Sequence, residues 1–139
     1  MTTSSAPCIF PALRFGNARQ MVEWLQQAFG FTVHTCHEAP DGTIAHAELA
    51  LGSSILMLGQ ARDDDFAQIV GQPDGPAGKT LYIAVEDIDA AFARAEAAGA
   101  VIVEPLVTRD YGSREFICRD PEDNVWCLGT YWPQVGENA

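Results

Sequence analysis

The chain repeats itself. Displaced 70 positions along itself, it sets Asn17 on Asp87, Ala28 on Ala98, Gly42 on Gly112, Leu58 on Leu128 and Gly59 on Gly129. The apolar runs travel with this punctuation. Leu13-Arg14-Phe15 meets Ile83-Ala84-Val85, and Ile55 to Leu58 meets Val125 to Leu128. Two copies of a unit this long mean a duplicated supersecondary element, because a solenoid needs three or more. Equivalent positions in the two copies can then converge on shared chemistry.

Each copy reads as β-α-β-β-β. Cys8 to Phe15 alternates as a strand. Asn17 caps a helix whose apolar stripe is Ala18, Met21, Val22, Leu25 and Phe29, and Gly30 stops it. Gln20 stands at capping-box spacing from Asn17. Strands over 31–38, 44–51 and 55–58 follow, with Pro40-Asp41-Gly42 and Gly52-Ser53-Ser54 as turns. In the second copy Asp87 caps a helix with the stripe Ile88, Ala91, Phe92, Ala95 and Ala98. Strands at 101–107, 114–119 and 125–130 complete it, the last two joined through Asp120-Pro121-Glu122-Asp123-Asn124. Gln60 to Lys79 holds Asp63-Asp64-Asp65, three Gly and two Pro, and reads as a linker with a helical turn near Phe66 to Val70. The expected fold is α+β: a mostly antiparallel, curved sheet around a cavity, with helices outside. The expected organisation is one domain over 1–139, with unit one about 8–59, the linker about 60–79 and unit two about 80–132.

Composition narrows the function classes. Of 139 residues, 47% are hydrophobic and 19% charged, which predicts a folded chain with a real core. No apolar run nears the roughly 18 residues that span a membrane. Met1 to Ala6 lacks a basic start and an apolar centre, so it reads as a frayed end and not a secretory signal. A net charge of -11 argues against nucleic acid and anionic membranes as partners, and serves solubility or a cationic or neutral ligand. Cys8, Cys36, Cys118 and Cys127 show no Cys-x-x-Cys spacing, so reduced thiols and a cytoplasmic location are expected.

The order of motifs resembles a known family. It runs from a capped helix ending in Ala28-Phe29-Gly30-Phe31 through His46-Ala47-Glu48-Leu49, Leu56-Met57-Leu58 and Tyr111-Gly112-Ser113-Arg114. It closes on Arg119-Asp120-Pro121-Glu122-Asp123-Asn124-Val125-Trp126. This resembles the vicinal-oxygen-chelate superfamily, and most closely its glyoxalase/bleomycin-resistance-like branch, over about Cys8 to Trp132. The usual Asp-Pro-x-Gly-Asn turn carries Asp123 in place of Gly, and Asp tolerates a left-handed backbone better than most residues. The resemblance implies two-fold homodimers whose pockets draw unit one from one chain and unit two from the other. It also implies a metal ligand on the first and last strand of each unit in metal-dependent members. By register those positions hold Phe10, Met57, Thr80 and Cys127. Phe10 cannot bind a metal, Met57 is a soft thioether, Thr80 is a poor ligand alone, and Cys127 lacks partners. The expectation is therefore no metal and no cofactor.

Alternation assigns the cavity face. In copy one it takes Phe10, Ala12, Ile44, His46, Glu48, Ile55 and Met57. In copy two it takes Thr80, Tyr82, Arg114, Phe116, Cys118, Val125 and Cys127. Of these, Phe10, His46, Glu48, Met57, Tyr82, Arg114 and Phe116 are candidate ligand contacts, with Trp132 as a pocket-edge aromatic or a subunit contact. Glu48 and Arg114 are candidates to pair; alone, Arg114 would hold a ligand carboxylate and Glu48 an amine. His46 and Glu48, two apart on one strand face, read as a polar pair in a wet pocket. They read alternatively as a base with its orienter, or as part of a relocated metal site with Cys127. Trp126 reads as core, and Trp24 as half-buried or at an interface. The leading expectation is a metal-free protein that sequesters a hydrophobic, aromatic or cationic small molecule. The alternative is a glyoxalase-type lyase, isomerase or dioxygenase.

Overall fold

The structure, a computed structural model, describes residues 7–136, so the expectation about Met1 to Ala6 lies outside the described residues. The chain divides into two compact units, the first ending at Asp74 and the second beginning at Gly75. Among the described residues no helix is long and apolar enough to cross a membrane.

The first unit runs β1 (Ala12–Phe15), α1 (Ala18–Phe29), β2 (Thr32–Glu38), β3 (Ile44–Leu51), β4 (Ser54–Gln60) and α2 (Asp65–Val70). The second runs β5 (Leu81–Ala84), α3 (Ile88–Ala97), β6 (Val101–Thr108), β7 (Arg114–Arg119) and β8 (Val125–Gly129). Each forms a four-stranded sheet, in the orders β1-β4-β3-β2 and β5-β8-β7-β6. One parallel pair stands in each otherwise antiparallel sheet. The fold class is α+β, a duplicated β-α-β-β-β unit.

Local chemistry sets the boundaries. Asn17 Oδ1 accepts the amide of Gln20 at 3.1 Å and Gly30 takes a left-handed φ of 85°, which brackets α1. Asp87 Oδ1 likewise accepts the amide of Ala90 at 3.0 Å and starts α3. The two central hairpins turn alike. In each, Gly42 or Gly112 takes positive φ while the preceding residues close the same bonds: Ala39 N to Thr43 O at 2.8 Å, and Arg109 N to Ser113 O at 2.7 Å. Asp123 is left-handed at φ 66°, as its place in the last turn requires. Asp64 caps α2 and also takes Arg14 through two contacts of 2.8 and 2.7 Å.

Strand one is shorter than its alternation predicts. Pro11 has no amide to give the ladder, so Phe10 lies ahead of β1, although Pro11 O still accepts from Met57 N at 2.9 Å. α1 and α3 each cover one face of their own sheet. In unit one, Met21, Leu25 and Ala28 are buried with Phe15, Ala47, Leu49, Leu56 and Leu58. Trp24 belongs to this core and not to a half-buried position, its ring edge-on to Phe29 at 5.2 Å. In unit two, Ile88 and Ala95 are buried with Phe116, Cys118, Trp126 and Leu128, and Phe92 meets Phe116 edge-on at 5.1 Å. Burying a leucine such as Leu25 is worth about 2–5 kcal/mol against alanine.

Candidate functional site

In each unit one sheet face lies away from the helix packed on the other. In unit one, β1 and β4 pair Ala12 with Met57, and β3 and β4 pair Glu48 with Met57. Thr35 and His37 on β2 oppose Glu48 and His46. Met57, Glu48, His46, Thr35 and His37 therefore share one face. His46 Nε2 lies 2.9 Å from Glu48 Oε2, and Thr35 Oγ1 lies 3.1 Å from His37 Nε2. Ile44 does not join them, contrary to alternation, and is 1% exposed in the core. The cause is a bulge: Glu38 pairs with Ile44 but His37 pairs with His46, so Ala45 is extra and every residue after it changes face. Gly59 makes room for the bulge, since a Cβ there would lie 2.8 Å from the carbonyl oxygen of Ala45.

Unit two lacks that bulge. Its β5–β8 register repeats unit one, Tyr82 with Cys127 where Ala12 meets Met57. Its β7–β8 register does not, because Cys127 pairs with Ile117 and Phe116 with Leu128. Phe116 and Cys118 therefore lie on the helix-covered face, and the assignment of Phe116 as a ligand contact is corrected: its ring packs on Phe92. Arg114 shares that face and reaches Asp89 on α3 at 3.3 Å. Within its own unit Glu48 pairs with His46, and Arg114 with Asp89.

The face to which alternation assigned Tyr82, Val125 and Cys127 also carries Glu115 and Ile117, which alternation missed. Glu115 is 5% exposed. Its Oε1 accepts from Arg109 Nε at 3.1 Å and its Oε2 from Tyr111 Oη at 3.1 Å. Arg109 also pairs with Glu104. Burial alone would raise the Glu115 pKa; hydrogen bonds from Ser113, Arg109 and Tyr111 outweigh it and hold the carboxyl below its ordinary value. Burial, then the Glu115 charge, pushes the Cys127 thiol up to about 11. Tyr82 Oη donates to Tyr131 O at 2.7 Å. Trp132, the next residue, is 53% exposed. Asp120, buried at the opposite end of β7, accepts from the amides of Glu122 and Asn124, from Asn124 Nδ2, and from Trp126 Nε1 at 2.9 Å. It fixes the last turn.

The four metal positions do not fit a divalent ion. Phe10 has no donor atom, Met57 offers a thioether, Thr80 spends its hydroxyl on Val125 O at 3.0 Å, and the Cys127 thiol stays protonated at neutral pH. Among the described residues no group of three or more His, Cys, Asp or Glu side chains could hold a metal ion.

Residues 10–128 match the Glyoxalase/Bleomycin resistance protein/Dioxygenase superfamily. The chain belongs to this superfamily. An uncharacterized protein of Mycobacterium bovis is 30% identical over 135 residues, covering 93% of this chain and 86% of that protein. A counterpart in Mycobacterium tuberculosis is equally similar over 77% of its length. Among solved structures, TioX from Micromonospora sp. ML1 is 29% identical with a TM-score of 0.78, covering 91% of this chain and 100% of TioX. A glyoxalase/bleomycin resistance protein/dioxygenase family enzyme from Burkholderia phytofirmans PsJN shares the superfamily fold. Its TM-score is 0.67 at 21% identity, over 87% of this chain and 94% of that one.

Proposed function

We propose that this superfamily member is a metal-free binding protein that sequesters a hydrophobic, aromatic or cationic small molecule. The observation that carries this reading is the donor set: phenyl, thioether, hydroxyl and protonated thiol stand where a chelate needs His or carboxylate. Sheet faces that mix apolar, aromatic and a few polar groups support a ligand role. Phe10, Met57, His46 and Glu48 are the proposed contacts in unit one, and Tyr82 and Trp132 in unit two. The reading includes a homodimer and a cytoplasmic location. Elemental analysis, equilibrium dialysis against aromatic ligands and product analysis test it together. Stoichiometric binding without metal or turnover supports it, and conversion of a bound ligand overturns it.

The hydrogen-bonded His46–Glu48 pair favours one second reading, a general base with its orienter in a glyoxalase-type lyase, isomerase or dioxygenase. Turnover lost in His46→Ala would select it.

A further inference from the structure

We propose that the uncovered face of unit two binds the cationic group of an aromatic ligand beside Tyr82 and Tyr111, with Glu115 setting the preference for positive charge. This rests on the binding reading above and names its ligand chemistry. Three features carry it.

The first is shape. Tyr82 and Glu115 close over the same side-chain-free point of β8: a Cβ on Gly129 would lie 2.7 Å from both Tyr82 Oη and Glu115 Cγ. The second is the state of the tyrosines. Tyr111 spends its hydroxyl on Glu115 and Tyr82 on Tyr131 O, while 65% of Tyr111 and 37% of Tyr82 remain exposed. Each thus has accessible surface but a committed polar tip, and the face of an aromatic ring attracts cations through its quadrupole.

The third is charge. Arg109 is held by both Glu104 and Glu115, so one guanidinium faces two carboxylates and the cluster keeps a net negative charge. An anion would have to displace a carboxylate from Arg109. A cation meets the surplus charge directly, within the field of a chain carrying -11 overall. Unit one differs at the equivalent place, where Glu48 is paired to His46 at 2.9 Å.

The test compares N-methylquinolinium with neutral quinoline at pH 7.5 by equilibrium dialysis. Wild type is expected to bind the cation at least about fivefold more tightly. Glu115→Gln is expected to remove that preference while quinoline affinity stays within about twofold. Glu104→Gln, at a half-exposed position, removes the same unit of charge and is expected to lower the preference at least about twofold, so the proposal remains testable if the Glu115 variant fails to fold. Tyr111→Ala should weaken both probes, and Tyr111→Phe should keep the preference. Quinoline binding with no cation preference, or a preference untouched by both carboxylate variants, overturns this inference and leaves the metal-free binding reading standing. Binding of neither probe also overturns it, and that reading is then judged by metal content and turnover.

Discussion

Gly129→Ala is expected to destabilise unit two although Gly129 has an ordinary backbone conformation and takes no part in a special turn. The added Cβ would meet Glu115 Cγ and Tyr82 Oη at 2.7 Å each and Glu115 Oε2 at 3.1 Å. Carbon atoms in contact prefer about 3.5–4.0 Å, so something must move by close to 1 Å. Glu115 is buried and held by Arg109 and Tyr111, and cannot swing away without breaking a charged network. Tyr82 is freer, and its retreat breaks the bond to Tyr131 O, worth about 1 kcal/mol net. Adding the strain of overpacking, about 1–3 kcal/mol, gives an expected loss near 2–4 kcal/mol. Gly59→Ala, at the matching place in unit one, meets the backbone oxygen of Ala45 and should cost at least as much, because backbone yields less than a side chain. Urea unfolding followed by far-UV circular dichroism measures both. A Gly129→Ala loss under about 0.5 kcal/mol would refute the close packing of Tyr82 and Glu115 on β8.

Asp120→Ala strands the buried Trp126 Nε1–H and frees the last turn, for an expected loss of about 3 kcal/mol in the same assay; an unchanged midpoint would count against the network. Iodoacetamide at pH 8 should label exposed Cys8 and Cys36 about two orders of magnitude faster than Cys127, whose thiol burial pushes up to about 11, or buried Cys118, pushed up to about 12. Peptide mass spectrometry reads the order, and prompt labelling of Cys127 would contradict it. Stability should fall with acid. The Thr43 hydroxyl and amide, with Arg62, hold Asp41 at about 2, and Arg14 with the Ala67 amide holds Asp64 well below the carboxylate range. Their stabilisation is complete above the unfolded pKa near 4 and is lost as pH falls through the folded value. Asp41→Asn should therefore melt lower than wild type at pH 6 and match it near pH 2; a difference independent of pH would refute the linkage.

The sequence made the frame legible because the frame is set by local chemistry. Asn17, Gly30 and Asp87 mark helix ends through single hydrogen bonds or a left-handed backbone, and Gly42 and Gly112 mark hairpins in the same way. Asp120 to Asn124 likewise signals its turn within five residues. The β7 residues of the uncovered face of unit two, Glu115 and Ile117, were not legible, and the reason is a pair of compensating insertions. Unit one carries one extra residue at the Ala45 bulge, and unit two carries one extra residue in the turn between β7 and β8. The 70-residue offset therefore holds at both ends of the unit and slips by one along β7. His46 corresponds to Glu115 and Glu48 to Ile117, so alternation counted from Arg114 selects Phe116 and misses Glu115. Two hints were present in the sequence, the paired glycines Gly59 and Gly129 and the glutamate set between Arg114 and the apolar run Phe116-Ile117-Cys118. Neither distinguishes a bulge from a regular strand without the partner strand's register. Pro11 is a plainer case: its missing amide shortens β1 and places Phe10 ahead of the strand that alternation extends through it.

We propose that this superfamily member works without a bound metal. Elemental analysis of protein purified without chelators, paired with thermal shifts on adding zinc, nickel, manganese and iron(II), tests it most directly. Metal far below one equivalent and no stabilisation are expected, because Phe10 has no donor atom and Met57, Thr80 and Cys127 make a poor donor set for a divalent ion. Near-stoichiometric metal that is lost in His46→Ala or Glu48→Ala would contradict it and move the chemistry to unit one.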